Sequence, residues 1–164
     1  MKKQLVTWTD VEHQVQEILR QMQKDQWMPD YVVGLTRGGL VPANMISQYL
    51  DIPMHTLKVN LRDHAYVENN TWMAHDAFIN KRILVVDDIN DTGATLNWIK
   101  QDWMKDDLEA GRWNAVWSGN VRVATLFDNE SSRSELTVDY TAVTINKAEE
   151  DVWIDFPWES WWRR

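Results

Sequence analysis

The chain has 164 residues, 44% of them apolar, which is about one domain's length and enough material for one core. Seventeen Lys and Arg against 25 Asp and Glu leave a net charge of −8, so the composition offers no chain-wide basic surface for a nucleic-acid backbone, and an anionic ligand has to be met by local donors. The absence of cysteine excludes disulfides and thiolate metal sites. No apolar run approaches the ~18 residues a membrane helix needs, and no apolar stretch follows Met1-Lys2-Lys3 as in a signal peptide. The expectation is a single domain over 1–164, cytoplasmic, with no membrane and no nucleic-acid partner.

Thr9 and Glu12 have capping-box spacing, and Val11, Val15, Ile18, Leu19 and Met22 recur on one face, which predicts an opening helix. Pro29-Asp30 then introduces a short apolar strand, Tyr31 to Leu35. A tight loop follows at Thr36-Arg37-Gly38-Gly39, and a helix with Pro42 in its first turn ends near Leu50. Met54 to Val59 reads as a second strand. The polar stretch from Arg62 to about Lys81 reads as a long loop, a feature that in compact domains is usually functional. Ile83 to Val86 is a buried strand running into Asp87-Asp88, with a helix opening near Thr95. Val121 to Phe127 is another strand, and Val138 to Ile154 supplies one or two more.

Strands alternating with helices imply an α/β fold, a mostly parallel sheet with helices on both faces, whose ligands gather beyond the carboxyl ends of the strands. Two loops fall there, 36–39 and 87–95. The 11 tryptophans leave two readings open, since so large a side chain either fills a core or lines a rim.

The stretch from Ile83 to Leu96 carries the chemistry. Its strand delivers two adjacent carboxylates, Asp87 and Asp88, and then Asp91, Thr92, Gly93, Ala94 and Thr95 lead into a helix N-terminus. Main-chain N–H groups at such an end form an anion site, the Thr hydroxyls add donors, and Gly93 lets the backbone approach a phosphate closely. Carboxylates beside a phosphate cradle suit a sugar phosphate, whose hydroxyls they accept from, and a hard cation such as Mg²⁺ is welcome near them. A Walker B strand would need G-x-x-x-x-G-K-[ST], and a dinucleotide loop would need G-x-G-x-x-G; neither motif is present. The Asp-Thr-Gly-Ala-Thr continuation does not suit a receiver-type acidic pocket. The plainest alternative is an acidic strand end that merely caps the next helix.

Val85 to Leu96 closely resembles the phosphoribosyl-pyrophosphate (PRPP) signature of type I phosphoribosyltransferases. Val33 to Ala43 looks like the pyrophosphate loop of that family, an arginine before paired glycines. Asp151 to Glu159 is similar to the carboxyl-terminal segment of bacterial-type xanthine/guanine/hypoxanthine phosphoribosyltransferases. The resemblance implies that Asp87 and Asp88 hold the ribose hydroxyls, directly or through Mg²⁺ and its water. It implies that Asp91, Thr92, Gly93, Ala94 and Thr95 wrap the 5′-phosphate, and that Arg37, Gly38 and Gly39 meet pyrophosphate in a loop that often contains a cis peptide. Asp91 matches the position that exchanges a proton with purine N7, Trp153 would stack on the base, and the backbone at Ile154 would read its edge. The loop at about 61–81 would be a mobile hood.

One departure stands out. After the strand ending at Phe127, purine members of the family carry a lysine for the base's exocyclic oxygen, and here the chain reads Asp128-Asn129-Glu130. Asn129 or Lys147 is left to supply that contact. The reading is phosphoribosyl transfer from PRPP to a 6-oxopurine with Mg²⁺, in a homo-oligomer (dimer or tetramer) for which the Trp158, Trp161 and Trp162 cluster is a candidate contact. A PRPP-sensing regulator or an inert relative with the same fold is the alternative.

Overall fold

Apolar residues alternate along the central strands and so face two ways, which gives the sheet two cores. In the structure, a computed structural model that describes residues 1–59, 61, 70–105 and 109–164, five parallel strands form this sheet. They are β2 (Tyr31–Thr36), β3 (Met54–Lys58), β4 (Ile83–Asn90), β5 (Val121–Asn129) and β6 (Tyr140–Ile145), in the order β3-β2-β4-β5-β6. Val32, Leu84, Val86 and Ala124 face α1 (Trp8–Lys24) and α2 (Leu40–Leu50), joining Val11, Val15, Ile18, Met22, Ala43 and Ile46 in one core. Val33, Leu35, Val85 and Val123 join the other, against α3 (Thr71–Phe78), α4 (Ala94–Met104) and α5 (Ala110–Val116). Each fully buried aliphatic side chain contributes about 1.5–3 kcal/mol, so the strand ends that carry the site are set on a rigid base.

Strand order reverses between β2 and β4, and the register Gly34↔Val86 and Asp87↔Thr125 brings the carboxyl ends of β2, β4 and β5 side by side. Ligands of such sheets bind at this switch point. A second, two-stranded parallel sheet pairs β1 (Lys2–Leu5) with β7 (Val152–Asp155), Lys3 opposite Trp153. Arg164 fastens it, donating from its guanidinium to Val6 O at 2.8 Å and Asp155 O at 2.9 Å.

Several expectations need correction. The cap of α1 is Thr7 with Asp10, not Thr9 with Glu12: Thr7 Oγ1 accepts from Asp10 N–H at 3.0 Å, and the Asp10 carboxylate accepts from Thr7 N–H at 2.9 Å. Of the loop expected over 62–81, the part from Thr71 to Phe78 is helix α3, held by burial of Met73 and Ala77; 62–69 lies outside the described residues. Strand β4 continues through Asp87 and Asp88 to Asn90. Neither β1 nor α5 was legible, because Lys2–Leu5 is exposed at every position and α5 owes its place to the buried Trp113 and Val116. Both readings of the tryptophans hold in part: Trp103 and Trp113 are core, whereas Trp8, Trp72, Trp153, Trp161 and Trp162 are exposed.

Candidate active site

The side of the site beyond β4 is built from main chain. After β4 the chain turns at Asp91–Gly93, and α4 starts at Ala94, leaving the N–H groups of its first turn without carbonyl partners in the helix. Gly93 has φ +92°, and a Cβ there would run into the backbone of Arg133 and Ser134, so only glycine fits. Thr92 Oγ1 accepts from Ala94 N–H at 3.2 Å. A pocket of about 70 Å³ opens here, lined by Asp87, the segment Ile89–Leu96 and Thr125. The β5–β6 connection seals it from outside: Arg133 N–H donates to Thr92 O at 2.9 Å, Asn97 Nδ2 to Arg133 O at 2.9 Å, and Asn90 Nδ2 to Asp128 Oδ1 and Ser132 Oγ, each at 2.9 Å.

The acidic pair stands beside it. Asp88 N–H donates to Asp87 Oδ1 at 2.9 Å and Ile89 N–H to Asp88 Oδ1 at 2.7 Å, which folds both carboxyls back over the strand end. Burial pushes the Asp87 carboxyl well above the usual carboxylate range, and the neighbouring Asp88 charge adds to it; burial raises Asp88 as well. Asp88 lies directly under Gly38, where any Cβ would collide with its carboxylate. The loop of Arg37, Gly38 and Gly39 thus meets the acidic pair, with the Thr36–Arg37 peptide cis. Arg37, Gly38 and Asp88 open into a larger cleft of about 660 Å³ whose far wall is Trp158, Glu159, Ser160 and Trp162. Burial raises the Glu159 carboxyl, with smaller contributions from the Asp88 and Asp155 charges.

The third part is assembled from side chains. Lys147, on the β6–β7 connection and 18% exposed, sets its Nζ 3.1 Å from Asp91 Oδ1 and 5.9 Å from the centre of the Trp153 ring. Trp153 on β7 is half exposed, while Ile154 beside it is buried. Asn129, at the end of β5, is buried and its amide is committed inward. Its Oδ1 accepts from Lys147 N–H at 2.9 Å, Ser131 Oγ at 2.9 Å and Ser131 N–H at 3.3 Å, and its Nδ2 donates to Asp91 O at 2.8 Å. In place of the base-edge contact expected of it, Asn129 is a strut that holds the main chain of Asp91 and Lys147.

The structure thus groups Asp87 and Asp91–Thr95 around the small pocket, Arg37, Gly38 and Asp88 around the larger cleft, and Asn129, Lys147 and Trp153 about Asp91. The sequence did not flag Glu159 or Thr125. Glu159 closes the Pro157-Trp158-Glu159 run already noted; Thr125 carried no signal, being one threonine in an apolar strand. Among the described residues, no cluster of three or more His, Asp or Glu could by itself hold a metal, and no helix is long and apolar enough to cross a membrane.

Comparison with known proteins agrees with this geometry. A family model described as the phosphoribosyl transferase domain matches residues 1–161. The chain is 26% identical over 159 residues to the xanthine-guanine phosphoribosyltransferase of Idiomarina loihiensis, covering 94% of this chain and 85% of that protein. It is 30% identical over 135 residues to the protein of the same name from Cereibacter sphaeroides, covering 78% and 68%. Among solved structures, the purine phosphoribosyltransferase of Pyrococcus horikoshii superimposes with a TM-score of 0.67 at 24% identity, over 98% of this chain and 96% of that one.

Proposed function

Since this chain belongs to the phosphoribosyl transferase family, we propose that it transfers the 5-phosphoribosyl group of PRPP to a 6-oxopurine, guanine or hypoxanthine, and releases pyrophosphate. The observation that carries the choice of base is the Lys147–Asp91 pair beside Trp153. The edge of a 6-oxopurine offers an acceptor at O6 and a donor at N7–H. An ammonium and a carboxylate 3.1 Å apart are their complement, and Trp153 supplies a flat face for the rings. Lys147 takes the O6 contact, and Asn129 holds it there.

In the reaction, the base N9 bonds to ribose C1, the C1–oxygen bond to pyrophosphate breaks with its electron pair going to the leaving oxygen, and the N7 proton passes to the Asp91 carboxylate. Arg37 with the Gly38 amide meets the developing charge on pyrophosphate, while the Gly39 N–H holds the loop by donating to Leu35 O at 2.8 Å. Asp91, Thr92, Gly93, Ala94 and Thr95 hold the 5′-phosphate, and Ile154 presents its main chain to the base edge. Asp87 and Asp88 would offer oxygen ligands to a Mg²⁺ ion, and its charge would relieve two half-buried carboxyls that otherwise resist ionising. Two carboxylates need the substrate's own oxygens, or water, to complete the shell. When bound, the ion supplies charge neutralisation for the leaving group. The active species is proposed to be a homo-oligomer.

A pyrophosphate-release assay with PRPP, Mg²⁺ and a panel of guanine, hypoxanthine, xanthine, adenine and the pyrimidines tests the reading. Guanine or hypoxanthine should be used best, and xanthine less. Exclusive use of adenine or a pyrimidine overturns the 6-oxopurine assignment, and no turnover with any base overturns transfer to a base altogether.

A further inference from the structure

Thr125 lies on β5 opposite Asp87, completely buried, and its Oγ1 has no hydrogen-bond partner among the described residues. A buried hydroxyl left unpaired costs stability, and native proteins rarely keep one without use for it. This one lines the same 70 Å³ pocket as Gly93, Ala94 and Thr95, whose main chain forms the phosphate cradle. Val123, two residues earlier on the same face of β5, is buried and purely apolar. A valine would match threonine in shape and remove the cost.

We propose that Thr125 is a ligand-binding residue: its hydroxyl, unpaired in the free protein, donates to an oxygen of the substrate's 5′-phosphate from the floor of the cradle. This rests on the reading of the pocket as a phosphoribosyl site. The helix end offers N–H donors from one side, and Thr125 adds a donor from the sheet. A monoester seated on the α4 turn is thereby gripped from two elements, the helix start and the sheet. Asp87, directly opposite on β4, accepts from Asp88 N–H rather than from Thr125, so the threonine hydroxyl is left for the ligand.

The test compares Thr125→Val and Thr125→Ser with the parent by calorimetric binding of GMP, guanosine and PRPP with Mg²⁺, alongside thermal melts of the free proteins. Thr125→Val should melt at or above the parent, bind GMP and PRPP about tenfold or more weakly, as expected for loss of a hydrogen bond to a charged group, and bind guanosine unchanged. Thr125→Ser should restore GMP affinity. Unchanged GMP affinity in Thr125→Val overturns the assignment, as does an equal loss for guanosine, which places the hydroxyl on the ribose or the fold instead. A Thr125→Val that melts lower and binds GMP normally marks a structural hydroxyl, and also overturns it. If the parent binds neither GMP nor PRPP, the phosphoribosyl reading itself fails, and this assignment with it.

Discussion

At the proposed phosphate end of the site the pocket is walled by consecutive residues, Asp91 to Leu96, mostly main chain at a helix start. At the proposed base end Asp91, Lys147 and Trp153 come from three separate segments and meet through their side chains. The first arrangement is indifferent to most side-chain identities, and needs only a glycine at φ +92° and hydroxyls nearby. The second depends on each residue, and on Asn129, whose one amide spaces two of them. A site divided in this way can keep its sugar-phosphate chemistry while its choice of base drifts.

The division is tested first at the residue both ends share. Asp91→Asn should lower kcat by roughly 10²–10⁴-fold, the usual contribution of a positioned proton-transfer group, with the KM for PRPP little changed. Steady-state kinetics with saturating base reads this, and parental turnover would remove Asp91 from the chemistry. Lys147→Met acts on the base end alone. It should reduce kcat/KM for guanine and hypoxanthine by about 10–100-fold, in line with loss of a hydrogen bond from a charged donor, and leave the thermal shift given by PRPP intact. A loss of that shift in Lys147→Met would join the two ends that the geometry keeps apart.

The phosphate end is reached without any base. PRPP with Mg²⁺ at a hundredfold excess over Kd should stabilise the fold by about 2.7 kcal/mol, read as a rise in Tm. No shift with either PRPP or a nucleoside monophosphate would remove the cradle from the account. The smallest expected effect is none at all: with net charge −8 the protein should not retard duplex DNA or RNA at physiological salt. A salt-sensitive gel shift at micromolar protein would give weight to a regulatory role for the fold.

The same division decides what could be read before folding. The cradle, the acidic pair and the Arg37 loop are each contiguous, so their chemistry is written in one short run of sequence, and the structure brings these runs together at the switch point. Lys147 could be named only as one of two candidates. Its nearness to Asp91 depends on β6 lying beside β5, a fact of long-range pairing. Asn129 looked like a reader because it follows the strand expected to end at Phe127; only its hydrogen bonds show that it holds the main chain of Asp91 and Lys147. Helix α3 and strand β1 were missed for a related reason. The polar run before Lys81 conceals two buried residues, Met73 and Ala77, and β1 takes its conformation from a partner near the other end of the chain.

That last pairing has a bearing on the order in which the protein can form. Lys2 is in register with Val152, so β1 has no strand neighbour until almost the whole chain has left the ribosome. Strands β2 to β5, which carry the Arg37 loop and the cradle, are made earlier and pair among themselves. Contacts between residues so far apart in sequence close late, because the loop entropy must be overcome first. Pulse-labelled hydrogen exchange during refolding should protect the amides of Val85 and Val123 before those of Gln4 and Trp153; simultaneous protection would argue against such an order. A chain maturing in this sequence completes the proposed sugar-phosphate cradle before the segments proposed to choose the base are in place.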